Sequence, residues 1–114
     1  MRALEDLQLS SVEREAIEAA ARLVREHFPV VGVVLFGSKA RGSDDHESDI
    51  DLLLLTSRPL DWRERGALTD RLFDVELDYG VVISTLILPA EEWDHGPYTV
   101  LPIHREIERD GARA

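Results

Sequence analysis

Two short stretches carry the residues that could do chemistry. Val33-Val34-Leu35-Phe36 runs into Gly37-Ser38-Lys39-Ala40-Arg41-Gly42, and shortly afterwards Ser48-Asp49-Ile50-Asp51 opens a second apolar run, Leu52-Leu53-Leu54-Leu55. In an extended strand alternate side chains share a face. Asp49 and Asp51 are therefore expected to project together, with Ile50 pointing into the opposite layer. Two carboxylates held side by side repel unless a cation lies between them, and hard oxygen ligands suit Mg²⁺. Gly37 lets the backbone approach closely and Ser38 adds a hydroxyl, so this bend can offer N–H and O–H groups to phosphate oxygens. The combination predicts a metal-dependent nucleotide site.

Gly37-Ser38 followed at this separation by Asp49-x-Asp51 resembles the signature of the nucleotidyltransferase superfamily with the DNA polymerase beta-type palm. Lys39-Ala40-Arg41-Gly42 and Ser48 resemble its short branch, the minimal nucleotidyltransferases often encoded beside HEPN-domain partners. The resemblance covers roughly residues 30 to 88. It implies that Gly37 and Ser38 contact the triphosphate of an NTP, ATP above all, and that Asp49 and Asp51 bind the metal and are catalytic. The cofactor so implied is Mg²⁺, with Mn²⁺ as its substitute. Lys39 and Arg41 become candidates for steering phosphate, although each can also be an ordinary surface charge. Arg41 is the better candidate, because a guanidinium binds phosphate bidentately.

One departure stands beside the match. Catalytic members of the superfamily usually carry a third carboxylate on a later strand, whereas here that strand reads Val81-Val82-Ile83-Ser84-Thr85-Leu86-Ile87-Leu88. Ser84 or Thr85 stands where the acid is expected, and a neutral hydroxyl is a weak Mg²⁺ ligand and a poor base. Glu76 and Asp78 precede the strand but fall on a helix. Two functions follow: nucleotidyl transfer to an acceptor hydroxyl, on a partner protein for instance, or a nucleotide-binding antitoxin that masks a HEPN-type ribonuclease.

The other reactive side chains read more plainly. His46 lies in the loop between the two motifs, while His27, His95 and His104 lack zinc-ligand spacing. Ser10, Ser11, Ser43 and Ser57 belong to no His–Asp arrangement for nucleophilic catalysis. Trp62 and Trp93 read as cover for a small core.

The elements that must position the site follow from periodicity. Ser10 and Glu13 have capping-box spacing. From there Val12, Ala16, Ala19, Ala20, Leu23 and Val24 mark a helix over 11–28, ended by Pro29. Residues 30–36 and 50–55 read as strands, the first buried on both faces. Asp61 caps a second helix, with Leu68, Leu72, Val75 and Tyr79 on its stripe and Gly80 beyond its end. A third strand over 81–88 completes a core spanning 30–89. A helical segment over 90–111 follows, with Pro102 in the first turn of its last helix. The first and last few residues read as frayed. The expected architecture is α+β, a small mixed sheet of three to four strands flanked by helices. The link between the first two strands is too short for a crossover helix, so those strands should pair antiparallel. A palm-like nucleotidyltransferase fold is also what the resemblance implies.

Composition bounds the function. With 114 residues the chain should form one domain, 1–114. It has no cysteine, so disulfides and thiolate zinc sites are excluded. A formal charge of −10 disfavours a broad nucleic-acid surface but not a nucleotide that arrives with its own cation. Met1 to Ser10 contains no apolar run of signal-peptide type, and no stretch approaches the length of a membrane span. The simplest expectation is a cytoplasmic protein with no membrane partner. An open edge strand would also allow a homodimer.

Overall fold

The computed structural model describes residues 1–42 and 49–114. Its elements in chain order are β1 (Arg2–Ala3), α1 (Ser11–His27), β2 (Val30–Phe36), α2 (Ser38–Arg41), β3 (Ile50–Thr56), α3 (Trp62–Tyr79), β4 (Ile83–Pro89), α4 (Ala90–His95), α5 (Pro102–Asp110) and β5 (Ala112–Arg113). Two 3₁₀ turns, Leu4–Asp6 and Pro97–Val100, complete them.

The described strands form one mixed sheet in the order β1-β5-β2-β3-β4. β2 and β3 pair antiparallel, as their short link requires, and β3 and β4 pair parallel through α3. The architecture is thus the expected α+β mixed sheet, with more strands than expected. The additions are the two-residue pieces at the chain ends, read from sequence as frayed. β1 pairs with β5, and β5 pairs with β2. Such short strands carry no periodic signal. What holds them is specific: the Arg2 guanidinium donates to the carbonyls of Ala40, at 2.5 Å, and of Asp110. Arg14 of α1 pins the Leu4–Leu7 stretch by donating to the Leu4 and Leu7 carbonyls at 3.1 and 2.9 Å.

Local capping sets the long helices. Ser10 accepts from the Glu13 N–H while Glu13 accepts from the Ser10 N–H, and Asp61 and Glu64 repeat the pattern on α3. Gly80 closes α3 with a φ of 66°. The third strand begins at Ile83 rather than at residue 81, and residues 90–111 divide into α4, a 3₁₀ turn and α5.

Two apolar layers flank the sheet. On one side Val33, Leu35, Ile50, Leu52, Leu54 and Ile87 pack against Ile17, Ala20 and Val24 of α1 and Leu68, Leu72 and Val75 of α3. On the other, Val34, Leu53 and Leu88 meet Trp93 of α4 and Ile107 of α5. Each buried side chain of this size contributes roughly 1.5–3 kcal/mol. A one-residue slip of β3 would exchange its two faces and drive Asp51 into the α1/α3 layer, so the packing fixes the register. Two expectations fail at the edges: Val31 of β2 is solvent-exposed, and Trp62 is 76% exposed instead of covering the core. Trp93, by contrast, is buried, its indole N–H donating to Glu108 at 3.0 Å. Among the described residues no helix is long and apolar enough to cross a membrane.

Candidate active site

Ile50 anchors the start of β3 with its side chain in the core, which turns Asp49 and Asp51 to the opposite, α4/α5 side of the sheet. Asp51 stands between Phe36 of β2 and Ser84 of β4 in the ladder. Asp49 is exposed and accepts a hydrogen bond from the Ser84 hydroxyl at 3.0 Å. The two acids therefore converge on one patch. Burial raises the Asp51 carboxyl above its ordinary value, and the charge of Asp49 raises it further, against the lowering influence of Arg41 and Lys39. A divalent cation between the acids would relieve this repulsion, so the donor set fits Mg²⁺.

The bend lies directly against the pair. Phe36, the last residue of β2, is paired with Asp51, and Gly37 follows it with φ 76° and ψ −157°. A Cβ at Gly37 would collide with Oδ2 of Asp51. Glycine is thus required twice over, by the backbone angle and by the carboxylate packed against it. Ser38 then starts the single turn of α2, whose Arg41 N–H returns to the Gly37 carbonyl at 3.1 Å. The α2 turn ends on Gly42 in the left-handed region.

The two basic candidates separate. Arg41 is exposed, and its charge reaches both Asp51 and Asp110. Lys39 is not a surface charge: its side chain is only 1% exposed, and its ammonium pairs with Glu13 of α1. Its charge still favours an ionised Asp51. A small cavity of about 120 Å³ opens beside the bend between Phe36, Arg41, Ile103 and Asp110. A larger cavity, about 420 Å³, lies around Gly32, Leu55 and Trp93, away from the acids.

The later strand also resolves. Ser84 shares the ladder position of Asp51, while Thr85 is paired with Leu52 and belongs to the other face. Ser84, not Thr85, thus occupies the expected place of a third acid. Among the described residues no group of three or more His, Asp or Glu side chains could hold a metal. Glu76 and Asp78 lie on α3. Ser43, His46 and Ser48, with the acidic loop around them, fall outside the described residues. Sequence reasoning missed the Ser84–Asp49 hydrogen bond and the Glu13–Lys39 pair. The first could be found only from the β3/β4 register. The second joins side chains 26 positions apart, with no local signal.

Comparison with known proteins places the fold. The profile of the nucleotidyltransferase domain family matches residues 17–106. A protein of Methanocaldococcus jannaschii, provisionally named a protein adenylyltransferase, is 38% identical over 55 residues, covering 48% of this chain and 56% of that protein. The match thus spans little more than half the length of that curated relative. Among solved structures, a chain of a toxin–antitoxin complex with AMP-PNP superposes with a TM-score of 0.61 at 18% identity, over 85% of this chain and 70% of the other. A nucleotidyltransferase from Sulfolobus solfataricus, also provisionally named, gives 0.56 at 21% identity, over 93% and 87%. A mutant of the MntA-HpeT toxin–antitoxin pair gives 0.58 at 23% identity, over 94% and 72%. The structural likenesses establish a shared fold, and the profile match covers most of the residues. The chain therefore belongs to the nucleotidyltransferase domain family.

Proposed function

We propose that this protein transfers a nucleoside monophosphate from an NTP, ATP above all, to an acceptor hydroxyl, with Mg²⁺ held by Asp49 and Asp51. The observation that carries the reading is the packing of the Asp51 carboxylate against the Gly37 bend, which leaves no space for a side chain between acid and turn. When bound, the cation would neutralise charge on the triphosphate and on its pyrophosphate leaving group. Gly37 and Ser38 would seat the terminal phosphates through backbone N–H and hydroxyl donors. Arg41, exposed beside them, would add a charged donor. Asp49 and Asp51 would hold that cation where the triphosphate and the acceptor oxygen meet. The adenylyltransferase name of the Methanocaldococcus relative supports a protein as acceptor, and a tyrosine hydroxyl is the chemistry we expect there.

The test is transfer of label from α-labelled ATP to a co-purified partner or to small hydroxyl acceptors. Transfer should depend on Mg²⁺ and should vanish in Asp49→Ala and in Asp51→Ala.

One observation favours a second reading. With Ser84 where a third acid is expected, the site is better equipped to bind nucleotide than to activate an acceptor. The chain would then serve as the antitoxin of a HEPN-type ribonuclease, with nucleotide binding regulatory. The toxin–antitoxin complexes among its structural neighbours are compatible with this role. Tight partner binding that survives Asp49→Ala and Asp51→Ala, without any transfer, would decide for it.

A further inference from the structure

Helix α3 has two faces, and only one of them is accounted for. Leu68, Leu72 and Val75 are buried against the sheet and α1. At 3.6 residues per turn, Trp62, Gly66, Phe73 and Leu77 fall together on the opposite side. Trp62 is 76%, Phe73 54% and Leu77 66% exposed. Together they present on the order of 400 Å² of apolar surface, the size at which a patch on a soluble protein commonly has a partner. About half of the ~800 Å² that each side of a standard interface buries is thus already apolar.

The pattern along this stripe is its own complement. Trp62 stands at one end and Leu77 at the other. Between them lie Gly66, beside which a side chain would meet only open space, and the bulky Phe73. The charges beside the two ends are also divided: Arg63 and Arg65 near Trp62, Asp74 and Glu76 near Leu77. Exposed Asp70 lies near the middle, where it would approach its own copy. When a second copy of the helix is laid antiparallel on the first, Phe73 enters the gap at Gly66 of the second copy. Trp62 then meets its Leu77. On one flank Arg63 faces Asp74 of the second copy, and on the other Arg65 faces its Glu76. Each contact occurs twice about the two-fold axis, as an isologous interface demands. A parallel arrangement would set like charges and bulky residues against each other.

We propose that the outer face of α3 is a homodimer interface, occupied by α3 of a second copy of this chain in antiparallel orientation. The inference is independent of the nucleotide reading, since α3 presents this face away from the sheet.

Sedimentation of the full chain over a range of concentrations tests it, with circular dichroism melts to show that each variant is folded. The wild type should associate to a dimer. Phe73→Asp should weaken association by about a hundredfold, because every dimer loses that contact twice, while at so exposed a position the variant keeps its helix content and a cooperative melt. Arg63→Glu and Asp74→Arg should each weaken association alone. An equimolar mixture of these two variants should recover it, since the mixed dimer pairs Glu with Arg on one side and Arg with Asp on the other. A chain that stays monomeric up to its solubility limit would overturn the proposal. So would a dimer indifferent to Phe73→Asp, which would point to the open β4 edge, or a mixture that recovers nothing.

Discussion

Gly37 is constrained from two directions: its φ of 76° strains any residue with a Cβ, and the Asp51 carboxylate occupies the space that Cβ would need. Gly37→Ala is expected to cost roughly 1–3 kcal/mol, seen as a lowered thermal midpoint, and to abolish any stabilisation by Mg²⁺ and ATP. Asp51 itself carries a pH signature. Its carboxyl is raised by burial and by Asp49, so folding favours the protonated form. The stability this contributes is present below the ordinary carboxylate value and is lost as the pH rises through the displaced one. Without metal, the protein should therefore melt a few degrees lower at neutral pH than Asp51→Asn, and the two curves should converge toward mildly acidic pH. Adding Mg²⁺ should raise the wild-type midpoint and leave that of Asp51→Asn nearly unchanged. The acids and the glycine were legible in the sequence because their chemistry depends on strand periodicity and on a turn. The partnership of Ser84 with Asp49 was not, because it exists only once β4 has been laid parallel to β3 in a particular register.

At the scale of elements, the short helix α2 carries the turn that we propose seats phosphate, but a single turn could not hold itself in place. Its anchor is the first turn of α1, where Glu13 caps the Ser10 N–H and also receives the Lys39 ammonium. Burial works to raise the Glu13 carboxyl, but the hydrogen bonds from Lys39 and from Ser10 outweigh it and hold it below the usual value. A lowered carboxyl contributes stability that is present above its unfolded value and lost as the pH falls through the folded one. Glu13→Ala should cost about 3 kcal/mol in chemical denaturation, since it removes a cap and leaves a buried lysine without this partner. The same variant should weaken ATP binding by loosening α2. The capping box was visible in the sequence, because it closes within four residues. The second duty of Glu13 was hidden, since a lysine directly after a Gly-Ser turn looks equally well suited to phosphate.

At the scale of the molecule, the sheet has an apolar layer on each face, and both layers end where β2 and β3 present the acids and the bend. The pattern of apolar residues was enough to give the two long helices and the three main strands, and the shortness of the first link gave the antiparallel pair; the parallel pairing of β4 with β3 came only with the structure. The apolar pattern failed at the ends, where two-residue strands are too short for any period, and at Trp62, whose place on the outer side of α3 depends on which stripe faces the sheet. The closing strands bring Arg2 onto the carbonyls of Ala40 and Asp110. Arg2→Ala should lower stability by about 1–2 kcal/mol, and amide hydrogen exchange should quicken around residues 38–42 more than in α3.

That anchor from the first residues has a practical side. A peptidase that trims the leading residues, or a fusion partner that draws them out of the sheet, would slacken the α2 turn beside the acids without touching either acid. Preparations with an intact and a clipped amino terminus would then differ in ligand response while looking alike in every assay of helix content.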